Sequence, residues 1–312
     1  MRTGTFTHVR TVDPGSAEVH VGTMRRGPTR RGWALGVPGV ALATAGGVWV
    51  QAQRVANAPL PHFEDLDPSG RYGDAPGPEL RLVALGDSSM TGPGLTDAAD
   101  TWIARVAGSL SSPVELTSLA RGGSRVRDVI ADQLERAIEL RPDLYVVSIG
   151  ANDAMHGTPS PVVRRQLGSM LTALEQVAPV VALGIGDLSV IPRLPRSLRT
   201  LVSMRSAAID RAHRSATRGR PAVLRVPVSE LSDPHFRTAG PALFSPDLFH
   251  PNAEGHRLWA TLFTPFVAAA LAVQIGQREH ASEVAREDVR EDVADDVVDI
   301  RANSGEAVRC GA

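Results

Sequence analysis

Between residues 80 and 276 the chain alternates short apolar runs with longer amphipathic stretches, and this alternation limits what it can fold into more than any other feature. The apolar runs are Leu82–Leu85, Val114–Leu119, Leu144–Ile149, Val180–Leu183 and Ala222–Val226. Each has the length and composition of a strand buried on both faces. Helical periodicity runs through Asp97–Leu110, Val126–Leu140, Pro161–Val177, Ser197–Arg218 and Ala253–Gln274. Pro142-Asp143 and Pro179 mark turns immediately before strands. Strands that alternate with helices of this size predict a parallel sheet covered by helices on both faces.

The flanks differ from this pattern. Residues 1–32 are polar, without periodicity, and read as a disordered basic segment holding Arg25, Arg26, Arg30 and Arg31. Met24, directly before the first of these arginines, is a second possible start. Trp33 to Val50 carries no charge and approaches the roughly 20 residues a membrane helix needs. The basic residues ahead of it predict a cytoplasmic N-terminus and an exported remainder. Two readings of this stretch stay open: an uncleaved anchor, or a signal segment cut after Ala58. Thr29-Arg30-Arg31-Gly32-Trp33 also resembles a twin-arginine export signal. Residues 51–79, with Pro59, Pro61, Pro68, Pro76 and Pro78, read as a semi-rigid linker. Residues 277–312 form an acidic charged tail to which no chemistry is assigned.

Net charge is −1, so no global basic field favours nucleic acid. The single cysteine, Cys310, excludes an internal disulfide and a cysteine-based zinc site.

Chemistry gathers at the ends of the predicted strands. The first ends in Gly86-Asp87-Ser88, which sets a serine hydroxyl at the sheet edge where open α/β folds bind ligands. A serine nucleophile needs a base, and the base needs an orienting group. Ser245-Pro246-Asp247-Leu248-Phe249-His250 supplies both in one tight turn, with Asp247 placed to accept the Nδ1–H of His250 and leave Nε2 outward. Gly150-Ala151-Asn152 follows the third strand, and the Asn152 amide can donate to a developing oxyanion. Ser118-Leu119-Ala120-Arg121-Gly122-Gly123 stands at the end of the second, where the glycines let a backbone N–H turn toward the site. Taken singly, each motif could equally serve as a turn or a cap. Taken together, they are the parts that acyl transfer to water requires.

In this order and spacing the blocks resemble the SGNH (GDSL-type) esterase/lipase family, with Ser88, Gly123, Asn152 and His250 at the positions that give it its name. The resemblance implies a flavodoxin-like three-layer α/β/α sandwich over residues 80–276, built on a five-stranded parallel sheet. It implies a Ser88–His250–Asp247 triad and an oxyanion hole from the Ser88 N–H, the Gly123 N–H and the Asn152 side chain. It implies an ester substrate, small-molecule or lipid, and no metal or other cofactor. Ser118 stands where the second block often begins with Asn. The resulting expectation is a membrane-anchored or secreted carboxylic ester hydrolase whose catalytic domain lies outside the cytoplasm. Alternatives are an O-acetyl carbohydrate esterase and a tethered, non-catalytic binding module on the same fold. An α/β-hydrolase would need G-x-S-x-G, and Met90 replaces its last glycine. Gly184-Ile185-Gly186 is too short for a dinucleotide fingerprint. Substrate choice is expected from the loops at Leu188–Pro195 and Ser232–Pro246.

Overall fold

A computed structural model describes residues 61–74 and 76–276. The Trp33–Val50 segment and the acidic tail lie outside the described residues. All five predicted strands form: β2 (Leu80–Gly86), β3 (Val114–Ser118), β4 (Leu144–Ser148), β5 (Val180–Leu183) and β6 (Val223–Val226), preceded by a short β1 (Gly70–Tyr72). The sheet order is β1-β3-β2-β4-β5-β6, with β2 to β6 all parallel to one another and β1 antiparallel to β3. The sheet therefore has six strands where five were expected. The extra strand comes from the proline-rich segment, in which Gly70-Arg71-Tyr72 carries no apolar run to announce it.

The helices are α1 (Ser88–Thr91), α2 (Trp102–Ser109), α3 (Val126–Asp132), α4 (Leu134–Leu140), α5 (Ala151–His156), α6 (Ser160–Glu175), α7 (Arg196–Thr217), α8 (Val228–Ala239) and α9 (Ala253–Gly276). Three expectations are corrected. The helix expected over Asp97–Leu110 is a 3₁₀ turn, Ala98–Asp100, followed by α2, because Thr101 turns extended to cap the second piece. The helix expected over Val126–Leu140 is broken at Gln133, whose side chain leaves the helical pattern to bond β2. The loop expected over Ser232–Pro246 is helical as far as Ala239 despite Pro234, and then forms a 3₁₀ turn, Gly240–Leu243.

Strand alternation sorts the core into two layers. Val83, Leu85, Tyr145, Val147, Val180 and Ala182 face α3, α4, α6 and α7. Leu82, Ala84, Leu144, Val146, Val181 and Leu183 face α2 and α9. Burial on both faces is why these strands read as continuous apolar runs. α9 is long and apolar enough to cross a membrane by length and composition. Its inner face, with Phe263, Val267 and Leu271, is buried in the second layer of the core.

The register fixes the site. Gly86 of β2 pairs with Ser148 of β4, and Ala84 of β2 pairs with Ser118 of β3. The loops after β2, β3 and β4 thus leave the same sheet edge side by side. β2 also marks where the chain's strand order reverses, the switch point at which doubly wound sheets hold ligands.

Candidate active site

At the end of β2 the chain must turn hard against β4. A Cβ on Gly86 would stand 2.1 Å from the Ser148 carbonyl oxygen, so only glycine fits there. Asp87 then caps α1, its carboxylate accepting the Ser89 N–H at 3.0 Å, and Ser88 is the first residue of that helix. Ser88 therefore stands at a helix start, half-buried, with its hydroxyl toward the sheet edge.

The base comes from the loop before α9. Ser245 N–H donates to the His250 carbonyl at 2.8 Å, and Leu248 N–H to the Ser245 carbonyl at 2.8 Å. Closing this loop puts Leu248 at φ 55°, a left-handed conformation that costs a non-glycine residue on the order of 1–2 kcal/mol. The strained turn brings Asp247 beneath His250. Asp247 Oδ2 lies 2.6 Å from His250 Nδ1, while Oδ1 accepts the backbone N–H groups of Phe249 at 2.9 Å and His250 at 3.0 Å. Burial alone would raise the Asp247 pKa. The hydrogen bonds from the His250 ring and the two backbone N–H groups outweigh it and hold the carboxyl below its ordinary range. His250 Nε2 lies 3.2 Å from Ser88 Oγ. The three side chains that the sequence singles out thus meet in one chain of contacts.

The other residues expected as oxyanion donors lie on the segments after β3 and β4. Asn152, in the first turn of α5, donates its side-chain amide to the Ser124 carbonyl at 3.0 Å and to Asp87 Oδ2 at a longer 3.4 Å. Arg121–Ser124 closes as a turn through Ser124 N–H to the Arg121 carbonyl at 3.3 Å, with Gly123 at φ 77° in the position that needs glycine. Among the described residues, no hydrogen bond engages the N–H of Ser88 or of Gly123. Gly123 is solvent-exposed, and it sits outside the ring of residues that line the adjoining cavity.

That cavity, about 140 Å³, runs from Ser88, Asn152 and His250 back between β5, α8 and α9. Phe236, Phe244, Phe249, Trp259 and Phe263 line it, with Ile185 and Ile191. Leu188 and Val190 contribute from the expected Leu188–Pro195 loop, and Ser232 and Phe236 from the segment found to be helical. Among the described residues no group of three or more His, Cys, Asp or Glu is arranged to hold a metal ion.

Two positions at the site escape sequence reasoning. Asp87 is almost fully buried, and burial pushes its carboxyl up to about 6 despite the Ser89 N–H bond. Gln133, also buried, pairs its amide with both backbone groups of Gly86, accepting from N–H at 2.9 Å and donating to C=O at 3.0 Å. Asp87 lies inside the recognised motif, whereas no local signal marks Gln133.

The family model for GDSL-like lipases/acylhydrolases matches residues 84–258. A GDSL-like esterase of Mycobacterium tuberculosis is 30% identical over 263 residues, covering 75% of this chain and 82% of its own. Among solved structures, a lipolytic G-D-S-L protein of Veillonella parvula is similar, with a TM-score of 0.50 at 16% identity over 60% of this chain and 96% of its own. The crystal structure of TesA is similar too, with a TM-score of 0.50 at 19% identity over 61% of this chain and 99% of its own. At such low identities the two structures speak for the fold alone, while the profile and the mycobacterial relative speak for kinship: the chain belongs to the GDSL-like lipase/acylhydrolase family and is a hydrolase of the esterase/lipase type.

Proposed function

We propose that this hydrolase cleaves carboxylic esters through Ser88, His250 and Asp247, with the N–H groups of Ser88 and Gly123 and the Asn152 amide as oxyanion donors. The observation that carries this reading is the unbroken relay from Ser88 Oγ to His250 Nε2 at 3.2 Å and from His250 Nδ1 to Asp247 at 2.6 Å. With Asp247 holding the proton on Nδ1, Nε2 is free to accept the Ser88 proton. Ser88 Oγ attacks the ester carbonyl as its proton passes to Nε2. The tetrahedral oxyanion forms facing the donors. It collapses, the C–O bond breaks, and the leaving alkoxide takes the proton from His250. Water, deprotonated by His250, then attacks the acyl-serine, and Ser88 leaves with that proton to restore the resting site.

Asn152 must hand one N–H to the oxyanion. The bond to Ser124 is the shorter and fixes the side chain, so the N–H spanning 3.4 Å to Asp87 is the one released. Asn152→Ala should lower kcat by about 10²–10³-fold with little change in stability, measured as nitrophenyl ester turnover beside a thermal melt. Near-native turnover would remove Asn152 from the hole.

The substrate's acyl group is apolar and larger than acetyl in this reading. The chain holds only seven phenylalanines and four tryptophans. Six of these eleven line this one cavity: Trp102, Phe236, Phe244, Phe249, Trp259 and Phe263. Each methylene buried there should raise kcat/KM by about fourfold, from ~0.8 kcal/mol of transfer energy, until the cavity is full. A series of nitrophenyl esters from acetyl to palmitoyl tests this, with a rise from acetyl through butyryl expected. A maximum at acetyl would favour the O-acetyl carbohydrate esterase instead. We further propose that residues 80–276 act as a catalytic domain held outside the cytoplasm by the Trp33–Val50 segment, a reading supported by the arginines ahead of that segment.

A further inference from the structure

The oxyanion reading leaves one mechanical problem. Arg121, Gly122 and Gly123 are all exposed and only Ser124 of the turn is buried, so little packing holds the glycines that carry a proposed donor. The inner side of the turn is tied at both ends, by the Arg121 N–H to the Gly86 carbonyl at 3.2 Å and by the Ser124 carbonyl, which accepts the Asn152 amide at 3.0 Å, but neither bond reaches Gly122 or Gly123. Its outer side is tied by a residue that precedes the family-matched region 84–258. Asp65 Oδ2 accepts the Gly122 N–H at 2.7 Å, while Asp65 Oδ1 accepts the Thr91 hydroxyl at 2.6 Å. Thr91 is the buried last residue of the helix that begins at Ser88, and its carbonyl accepts the Leu66 N–H at 3.0 Å. One carboxylate thus bridges the nucleophile helix and the glycine turn. It lies flush on that turn, since a Cβ on Gly122 would stand 2.6 Å from Asp65 Oδ1.

We propose that Asp65 is a positioning residue for ester hydrolysis, holding the Gly123 N–H at the distance from Ser88 that the oxyanion requires. The proposal rests on the triad and oxyanion-hole reading above. Asp65 touches neither substrate nor reacting atoms and acts through Gly122 and Thr91. Its segment has anchors of its own. Ser69 Oγ accepts the Ser118 N–H at 2.9 Å, Gly70–Tyr72 pairs with β3, and Phe63 packs at Gly94. Removing the carboxylate therefore loosens the outer side of the turn, where Gly122 and Gly123 lie, without detaching the segment.

The test uses the full chain and its Asp65→Ala and Asp65→Asn variants. Asparagine keeps one acceptor but presents N–H to the second donor, so it cannot bridge both. Both variants should lose about tenfold in kcat with KM within about twofold, because misplacing a catalytic donor by a fraction of an ångström weakens the transition state and spares substrate binding. A nitrophenyl phosphonate supplies the second readout. Ser88 Oγ forms a bond to phosphorus, nitrophenolate departs, and the serine proton passes to His250, leaving a tetrahedral adduct in the oxyanion hole. Inactivation should slow by the same factor as kcat, while the final count of labelled sites stays at one per chain. Unchanged kcat in Asp65→Ala would overturn the proposal, as would a fall in kcat matched by a fall in the labelled fraction, which would mean a misfolded share. If the parent neither turns over esters nor is labelled at Ser88, the functional reading itself fails and this inference falls with it. An active, labelled parent with unaffected variants sinks the Asp65 role alone.

Discussion

Ser88→Ala is expected to cut kcat on nitrophenyl esters by roughly 10⁵-fold or more, leaving only the residual rate that binding and the oxyanion donors give by themselves. The size follows from the contacts. The Ser88 hydroxyl is the only atom of that side chain in reach of His250 Nε2, at 3.2 Å. Without it the Asp247–His250 pair has no side-chain nucleophile to serve. The substitution should leave the melting temperature almost unchanged. Ser88 is half-buried, the alanine methyl fits the same space, and the α1 cap comes from Asp87, whose carboxylate bonds the N–H of Ser89. Activity above a few per cent of the parent, in a preparation that takes up no phosphonate label and so holds no parent enzyme, would break the nucleophile assignment. The paired measurement matters because catalysis and stability separate here: one falls by orders of magnitude while the other stays.

Gly86→Ala should do the opposite and damage both. The new Cβ would sit 2.1 Å from the Ser148 oxygen and 3.0 Å from its carbonyl carbon, both backbone atoms of the neighbouring strand. Neither side yields easily. The Ser148 carbonyl accepts the Asp87 N–H at 3.2 Å, and Gln133 grips both backbone groups of Gly86. Overpacking against backbone in such a place costs about 3 kcal/mol or more, read as a drop in the urea midpoint. Activity should fall as well, because separating β2 from β4 moves Ser88, two residues along, away from the His250 loop. A variant within about 1 kcal/mol of the parent would show that the two strands can part more cheaply than their contacts suggest.

How much of this was readable in advance follows from where each residue's partners lie. The five parallel strands are legible because a strand covered on both faces must be apolar at every position, as in Leu144-Tyr145-Val146-Val147. β1 is not, since only its pairing with β3 makes it a strand. α8 hides behind Pro234, which reads as a breaker but is accommodated within the helix from Val228 to Ala239. The Asp247–His250 pair is legible because both members lie within one turn. Gln133 and Asp65 are not, because their partners lie 47 and 57 residues away in sequence and only the folded sheet brings them together. Local chemistry can be read from spacing. The supports that hold it in place come from distant parts of the chain.

The antiparallel strand at the border of the sheet carries a practical lesson. Gly70–Tyr72 occupies the outer hydrogen-bonding rim of Val114–Ser118, which would otherwise be left open. A fragment trimmed to begin at residue 80, where the apolar alternation starts, would uncover that rim as a template for strand addition from another molecule. It would also lose the carboxylate that steadies the glycine turn. Self-association and weakened turnover would then arrive together in such a fragment, and the first could easily be mistaken for the cause of the second.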